Sequence, residues 1–414
     1  MPQLVLLDYM KTIKFYTLGC KVNQYDTQSI RERFIKAGFK EIFNGHKADF
    51  YLINTCTVTH KADKDSRYYI HKARKLNPRA RIIVTGCMAQ RTQACALRLE
   101  GADYIISKRF FPDGIRGFSG HTRAFLKVQD GCDNFCSYCI VPLVRGSSRS
   151  RAFLQVIREA KALVKNGFKE IVLTGICLGA YGKDLKPGRN LVDIIEELEK
   201  IDGLLRIRLS SIEAGDVTDE LINKMNASKK LCRHLHIPMQ SGDDGILKKM
   251  NRKYTKADYI KLIKKLKDRI PGIAITTDVL VGFPGESEEN FQNTLNLIKE
   301  ISPLKVHIFP YSKREGTSAA CNFDNPVAQA IVKNRVLELK SLAEACAVQY
   351  KKKFLHKKMP VLIESRLMES PEYWQGLTDN YIKVLVKSNQ DLTNQVVAVN
   401  PTKLLADCML ADLY

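Results

Sequence analysis

The stretch Ala124-Phe-Leu-Lys-Val-Gln-Asp-Gly-Cys132-Asp-Asn-Phe-Cys136-Ser-Tyr-Cys139 opens as an apolar strand and closes with three thiols packed into eight residues. Three soft thiolates at the end of one strand suit an iron–sulfur cluster or zinc. Structural zinc takes four ligands, commonly as two pairs. No second CxxC and no HxxxH occurs in the chain. A CxxxCxxC set supplies three ligands, so a four-iron cluster held by it keeps one iron open to another molecule. Spare buried cysteines are the competing reading, and chance rarely spaces three of them this way.

Outward from this stretch, strand and helix patterns alternate. On the N-terminal side, residues 14–17, 50–54 and 81–85 read as strands, and 24–37, 61–76 and 88–99 as helices. That alternation implies a parallel α/β sheet. The Pro/Gly-rich segment 112–120 marks a boundary. On the C-terminal side, strands are expected at 124–129, 170–174, 206–211, 234–237, 275–281 and 305–309. Phe153, Val156, Ile157, Ala160, Leu163 and Val164 share one helical face, as do Tyr259, Ile260, Ile263 and Leu266. Six βα units imply a partial (β/α)6 barrel. A long helix is expected at 327–353. Strand-like runs at 359–365, 376–386 and 395–399 imply a small all-β domain. The expected domains are therefore 1–117, 118–348 and 349–414.

A second cysteine set is spread out. Cys20, Cys56 and Cys87 each follow one of the first three strands. Ligands on open α/β sheets gather at the carboxyl ends of strands. These three thiols can therefore converge on a second cluster site, or be three small buried hydrophobes. Cys95, Cys177, Cys232, Cys321, Cys346 and Cys408 have no partner spacing and read as structural. Twelve cysteines, with no apolar run long enough for a secretory leader, read as cytoplasmic thiols rather than disulfides. No run of 18 apolar residues exists, so no membrane span is expected.

The chain resembles the radical S-adenosylmethionine (SAM) superfamily at Cys132–Cys139, and its methylthiotransferase family over about residues 12–345. The matching motifs are Thr17-Leu-Gly-Cys20-Lys-Val-Asn-Gln-Tyr-Asp-Thr27, Asn54-Thr-Cys56 and Thr85-Gly-Cys87 in the first third. Leu173-Thr-Gly-Ile-Cys-Leu-Gly-Ala-Tyr-Gly182, Arg208-Leu-Ser-Ser-Ile-Glu213 and His234-Leu-His-Ile-Pro-Met-Gln-Ser-Gly242 follow. Val281-Gly-Phe-Pro-Gly-Glu286 and His307-Ile-Phe-Pro-Tyr-Ser-Lys-Arg-Glu-Gly-Thr317 complete them. The terminal β segment looks like a divergent TRAM domain. Residues 19–27 look like the branch acting on threonylcarbamoyl-adenosine in tRNA, the MtaB type, rather than the isopentenyl-adenosine or ribosomal-protein branches. The family's usual start shortly before Thr17 makes Met10 an alternative to Met1 as the natural beginning.

The resemblance implies two 4Fe–4S clusters. Cys132, Cys136 and Cys139 would hold the one that chelates SAM and splits it to a 5′-deoxyadenosyl radical. Cys20, Cys56 and Cys87 would hold an auxiliary cluster that presents sulfur, and the clusters would face each other with the base between them. SAM would serve twice, first as methyl donor to that sulfur and then as radical source. Tyr138 would pack near the adenine and the Thr174-Gly175 backbone receive the methionine amine. Ser211 and Glu213 would make polar contacts to SAM. Gln240, in the stretch that follows His234 and His236, would shape the SAM pocket. Gly282 and Phe283 would allow close backbone approach to the nucleoside. Implied partners are tRNA and a flavodoxin- or ferredoxin-like electron donor, for a monomer with no membrane attachment.

Charge agrees with an RNA substrate. Lys and Arg number 66 against 44 Asp and Glu, a formal net charge of +22, which favours a polyanionic partner. Residues 224–269 hold 14 basic against 4 acidic residues, nearly half that surplus. Lys261, Lys264, Lys265 and Lys267 read either as a solvated helix face or as part of an RNA surface. In the β domain, Tyr373, Trp374 and Tyr381 are available either for base stacking or for the core. His234 and His236 alternate on one strand and face one side, the barrel interior. A non-catalytic iron–sulfur RNA-binding or electron-transfer protein is the rival of another class. It would take four cysteines per cluster, whereas two sets of three argue for open irons.

Overall fold

The computed structural model describes residues 11–43, 45–94, 99–106, 114–186 and 188–414. Met10, Cys95 and the first part of the 112–120 connector lie outside them. The chain divides into two compact units. One runs through Gly117 and also takes up Ile140–Gly146; the other holds Phe118–Cys139 and Ser147–Tyr414.

In the first unit, β1 (Thr12–Thr17), β2 (Lys40–Glu41), β3 (Phe50–Thr55), β4 (Arg81–Gly86) and β5 (Tyr104–Ile105) form one parallel sheet in the order β2-β1-β3-β4-β5. The central strands are apolar on both faces, as helix-covered parallel strands must be. Tyr51, Ile53, Ile82 and Val84 pack on one side with Ile70 and Ala73 of the helix His60–Leu76. Leu52 and Ile83 pack on the other with Ile13 and Ile30. Thr59 caps the helix His60–Leu76, its hydroxyl accepting from the Ala62 amide.

The second unit begins with β6 (Arg123–Lys127), β7 (Gln129–Asp130) and β8 (Arg149–Ser150). It continues with β9 (Glu170–Thr174), β10 (Arg206–Leu209), β11 (His234–His236), β12 (Ala274–Val281) and β13 (Lys305–Pro310). Parallel triplets β10-β9-β6 and β11-β12-β13 are joined by the bridges Ile207 to Leu231 and Ser211 to His236. The result is the expected six-stranded partial barrel. Capping boxes at Asn190, Thr255 and Ser287 start three of its outer helices, each satisfying two amides that the first turn leaves open.

After the helix Gln329–Lys352, the strands β14 (Met359–Arg366), β15 (Tyr373–Thr378), β16 (Lys383–Lys387), β17 (Val396–Leu404) and β18 (Met409–Leu413) close into a small barrel. This is the expected TRAM-like all-β domain, with one correction. The run 376–386 is two strands, split by a turn at which Tyr381 adopts φ +67°. Trp374 is buried in the barrel core and donates its indole N–H to Ser388 O at 3.2 Å. Tyr381 stacks on His234, ring centroids 4.3 Å apart. These two aromatics are packing groups.

Candidate active site

Cys20, Cys56 and Cys87 lie just beyond β1, β3 and β4, which are neighbours in the sheet. Each thiol is brought there by a tight exit from its strand. Gly19, at φ +94°, would place a Cβ 3.1 Å from Cys56 Sγ; Gly86, at φ +95°, would place one 2.3 Å from Thr55 O. Only glycine fits both positions. Asn23 ties the exits together, its Nδ2 donating to Leu18 O at 2.7 Å and Thr55 O at 3.0 Å. Ser66 holds Cys56 at both backbone groups. Burial, and then the charges of Cys87 and Cys20, push the Cys56 thiol up to about 11. The helix Val141–Arg145 completes the surroundings: Ile140 and Val144 pack with Cys87, and Arg145 Nη2 donates to Asn23 Oδ1 at 2.5 Å.

In the second unit the CxxxCxxC loop is anchored by backbone contacts. Ser137 N–H donates to Met250 O at 3.0 Å, Ser137 Oγ to Lys249 O at 2.7 Å, and Asn251 Nδ2 to Phe135 O at 2.9 Å. Phe135, at φ +47°, makes the turn between Cys132 and Cys136. Arg252 is 3% exposed; its Nη1 donates to Cys136 Sγ at 3.2 Å and its guanidinium pairs with Glu213. Burial raises the Cys136 thiol, although Arg252 opposes it. Interaction with the neighbouring Cys177 thiol lowers the Cys132 thiol to about 7, while Cys177 Sγ donates to Asp216 Oδ2 at 3.8 Å and the Asn134 backbone N–H to Cys132 Sγ at 3.5 Å. Asn134 Nδ2 donates in turn to Cys177 Sγ at 3.6 Å.

The remaining expected residues fall at the same strand ends. Thr174 is buried, its hydroxyl on Val172 O at 3.0 Å. Gly175 lies against Gln129, which a Cβ there would approach to 2.9 Å. Ser211 bridges to His236. Gln240, at φ +64°, donates its amide to Asp278 O at 2.8 Å. Tyr138 packs with Leu280, Phe283 and Met250. At Gly282 the space freed by the missing Cβ is taken by Val332, whose Cγ2 would lie 2.5 Å away. Phe283 is fully buried edge-on to Tyr311 and Phe323.

Residues 126–298 match the model described as the Radical SAM superfamily, and residues 12–107 the one described as "Uncharacterized protein family UPF0004". The threonylcarbamoyladenosine tRNA methylthiotransferase MtaB of Bacillus subtilis is 40% identical, over 95% of this chain and 94% of that protein. The chain belongs to the radical SAM methylthiotransferase family. Another of its members, the tRNA-2-methylthio-N(6)-dimethylallyladenosine synthase of Clostridium tetani, is 34% identical over 94% of this chain and 93% of that protein. The cobalamin-dependent SAM radical enzyme OxsB matches in fold, at 13% identity and TM-score 0.50, covering 81% of this chain and 56% of that one.

Family membership implies SAM and a 4Fe–4S cluster, and the donor chemistry here fits one. None of the six cysteines is in a disulfide. Among the described residues no three His, Cys, Asp or Glu side chains are gathered as closely as a single metal ion requires. A cluster spreads its ligands wider, one thiolate per iron. Sequence reasoning missed Arg252 and Cys177. Arg252 counted only toward the basic surplus, and Cys177 read as a structural thiol without a partner. The structure corrects the second reading by placing Cys177 against Cys132. No local spacing signals either contact.

Proposed function

We propose that the protein inserts a methylthio group at C2 of N6-threonylcarbamoyladenosine at position 37 of tRNA. The observation that carries this reading is the similarity, over nearly the whole chain, to the Bacillus subtilis enzyme of that name. The two sets of three thiols, each at strand ends, support it. Cys132, Cys136 and Cys139 are the proposed ligands of the SAM-binding cluster, and Cys20, Cys56 and Cys87 those of an auxiliary cluster. SAM bound at the first cluster would supply a radical strong enough to take hydrogen from an aromatic carbon, which no side chain can do.

The residues around the thiols have definable tasks. Arg252 neutralises charge at Cys136 and fixes Glu213 beside it. Asn134 gives hydrogen bonds to the sulfurs of Cys132 and Cys177, and hydrogen bonds to ligand sulfur tune a cluster. Asn23 and Ser66 fix the strand exits carrying Cys20 and Cys56. Thr174, Gly175, Ser211, Glu213 and Gln240 ring the mouth of the half-barrel, where SAM would bind. Residues 1–117 form the proposed auxiliary-cluster domain, 118–348 the radical SAM core and 349–414 the RNA-binding module. The proposed setting is a cytoplasmic monomer served by a flavodoxin- or ferredoxin-like donor.

The similarity to the Clostridium tetani enzyme favours a second reading, isopentenyl-type adenosine as substrate. Mass analysis of tRNA nucleosides from a strain lacking the gene separates the two. Loss of the methylthio group from threonylcarbamoyl-adenosine alone is the expected result. Loss of the isopentenyl product instead would transfer the protein to the other branch.

A further inference from the structure

Strand β12 presents two different faces. Thr277 faces the outer helices, where Tyr259 of the helix Lys256–Arg269 donates to its hydroxyl at 3.3 Å. By alternation, Thr276, Asp278 and Leu280 face the barrel interior. Thr276 Oγ1 lies 2.9 Å from both His234 Nε2 and His236 Nδ1. Asp278 Oδ1 lies 3.1 Å from His236 Nε2 and 3.6 Å from His307 Nδ1. Leu280 continues the column into the apolar group holding Tyr138, next to Cys139. A polar triad of two imidazoles about one carboxylate therefore sits inside the half-barrel, in line with the CxxxCxxC loop.

The triad opens toward one side. His236 is 13% exposed, but His307, on the edge strand β13, is 42% exposed. Phe309 follows two residues later on the same face and is 43% exposed. A half-exposed ring on the inner face of an edge strand has no packing explanation of its own. Together these residues offer a hydrogen-bonding ring and a flat apolar ring to whatever enters the half-barrel.

We propose that His307, oriented by Asp278, reads the carboxylate of the threonylcarbamoyl substituent, and that Phe309 supports the purine. This rests on the substrate assigned under Proposed function. Asp278 lies 3.6 Å from His307 Nδ1, an ion-pair rather than a hydrogen-bond distance, and a ring held there as an imidazolium donates from Nε2. A threonylcarbamoyl group brings an anion to that donor. An isopentenyl group brings only hydrocarbon and offers a hydrogen-bond donor nothing to bind. Sites built to hydrogen-bond a substituent reject analogues that lack it far more strongly than apolar pockets do.

The test uses the anaerobically reconstituted enzyme with SAM and three stem–loop RNAs, identical except for threonylcarbamoyl-adenosine, isopentenyl-adenosine or adenosine at the target position. Dissociation constants are measured by fluorescence anisotropy. The readout is the ratio of affinities for the first two RNAs, so a general loss of folding or RNA binding does not imitate the effect. His307→Ala should cut the preference for the threonylcarbamoyl RNA by about tenfold or more. His307→Gln, which keeps a neutral donor, should fall between Ala and the native enzyme. Phe309→Ala should weaken all three RNAs and leave the ratio in place. An unchanged ratio in His307→Ala overturns the proposal. Native enzyme that prefers the isopentenyl RNA overturns the substrate reading instead.

Discussion

Glu170 is the perturbation whose consequence the structure defines most sharply. Its side chain is 0% exposed at the start of β9, and three arginines converge on it. Arg208 Nε donates to Oε1 at 2.7 Å, and Arg206 and Arg123 guanidinium nitrogens lie 3.8 Å away. The same arginines hold the C-terminal barrel. Arg208 donates to Thr378 O and Asp379 O at 3.0 Å, and Arg206 to Leu377 O at 2.8 Å and Pro360 O at 2.7 Å. Glu170→Ala leaves Arg208, 2% exposed, without its carboxylate. Breaking a buried pair in this way costs about 3–5 kcal/mol, a large part of a domain stability of about 5–15 kcal/mol. The expected fall in Tm is about 6–20 °C. Trp374, the single tryptophan, lies in the C-terminal barrel core, so its fluorescence reports that barrel while circular dichroism reports the whole chain. In Glu170→Ala the fluorescence transition should precede the dichroism transition. Burial pushes the Glu170 pKa up, but the charges of Arg208, Arg123 and Arg206 and the Arg208 hydrogen bond outweigh it and hold it low. A lowered folded-state pKa means the stabilisation is complete above the ordinary glutamate range, about 4.3. It is lost as pH falls through the depressed value. Glu170→Gln should be less destabilised than Ala and should lose less further stability in acid than the native protein. Coincident transitions, or a Tm within about 2 °C of native for Glu170→Ala, would refute the anchoring role.

Other outcomes follow from the two sites. Replacing Cys20, Cys56 and Cys87 together by Ala should remove about half of the iron and sulfide and abolish methylthio product, while reduced protein still yields 5′-deoxyadenosine. The Cys132/Cys136/Cys139 triple variant should lose SAM cleavage altogether; full methylthio transfer by the first variant would sink the sulfur-donor assignment. Arg252→Met removes a cation and an N–H···S bond at Cys136, and should lower the midpoint potential of the SAM-binding cluster by about 60 mV or more in an EPR-monitored titration. No shift would leave Arg252 as a packing residue. Affinity for tRNA should fall by about a hundredfold or more between 50 and 200 mM salt, and a flat salt response would contradict an electrostatic role for the +22 charge. Within the basic helix, Lys264 and Lys265 pair with Glu300 and Asp219, and Lys267 donates to Ile301 O at 2.5 Å. Lys261→Glu should therefore weaken RNA binding, whereas Lys267→Glu should lower stability.

The amino-acid sequence by itself determined the α/β alternation, the half-barrel, the all-β tail and the two sets of three cysteines. Each is written in local pattern: apolar runs that favour strands, 3.6-residue stripes that favour helices, and thiols spaced within one loop or directly after strands. The alternation of Thr276, Asp278 and Leu280 could likewise have been read in advance as one strand face. What local pattern does not encode is which distant side chain arrives at a given atom. Arg252 meets Cys136 across 116 positions. Cys177 reaches Cys132 from the loop after the next barrel strand. Val332 takes the gap at Gly282. The helix Val141–Arg145 follows Cys139 directly yet packs with the first unit, beside Cys87. Glu170 reads in sequence as an ordinary polar residue opening a strand. Only the closure of β6, β9 and β10 side by side brings Arg123, Arg206 and Arg208 onto its carboxylate and buries all four, because register between strands is fixed by packing of the whole sheet rather than by any one segment.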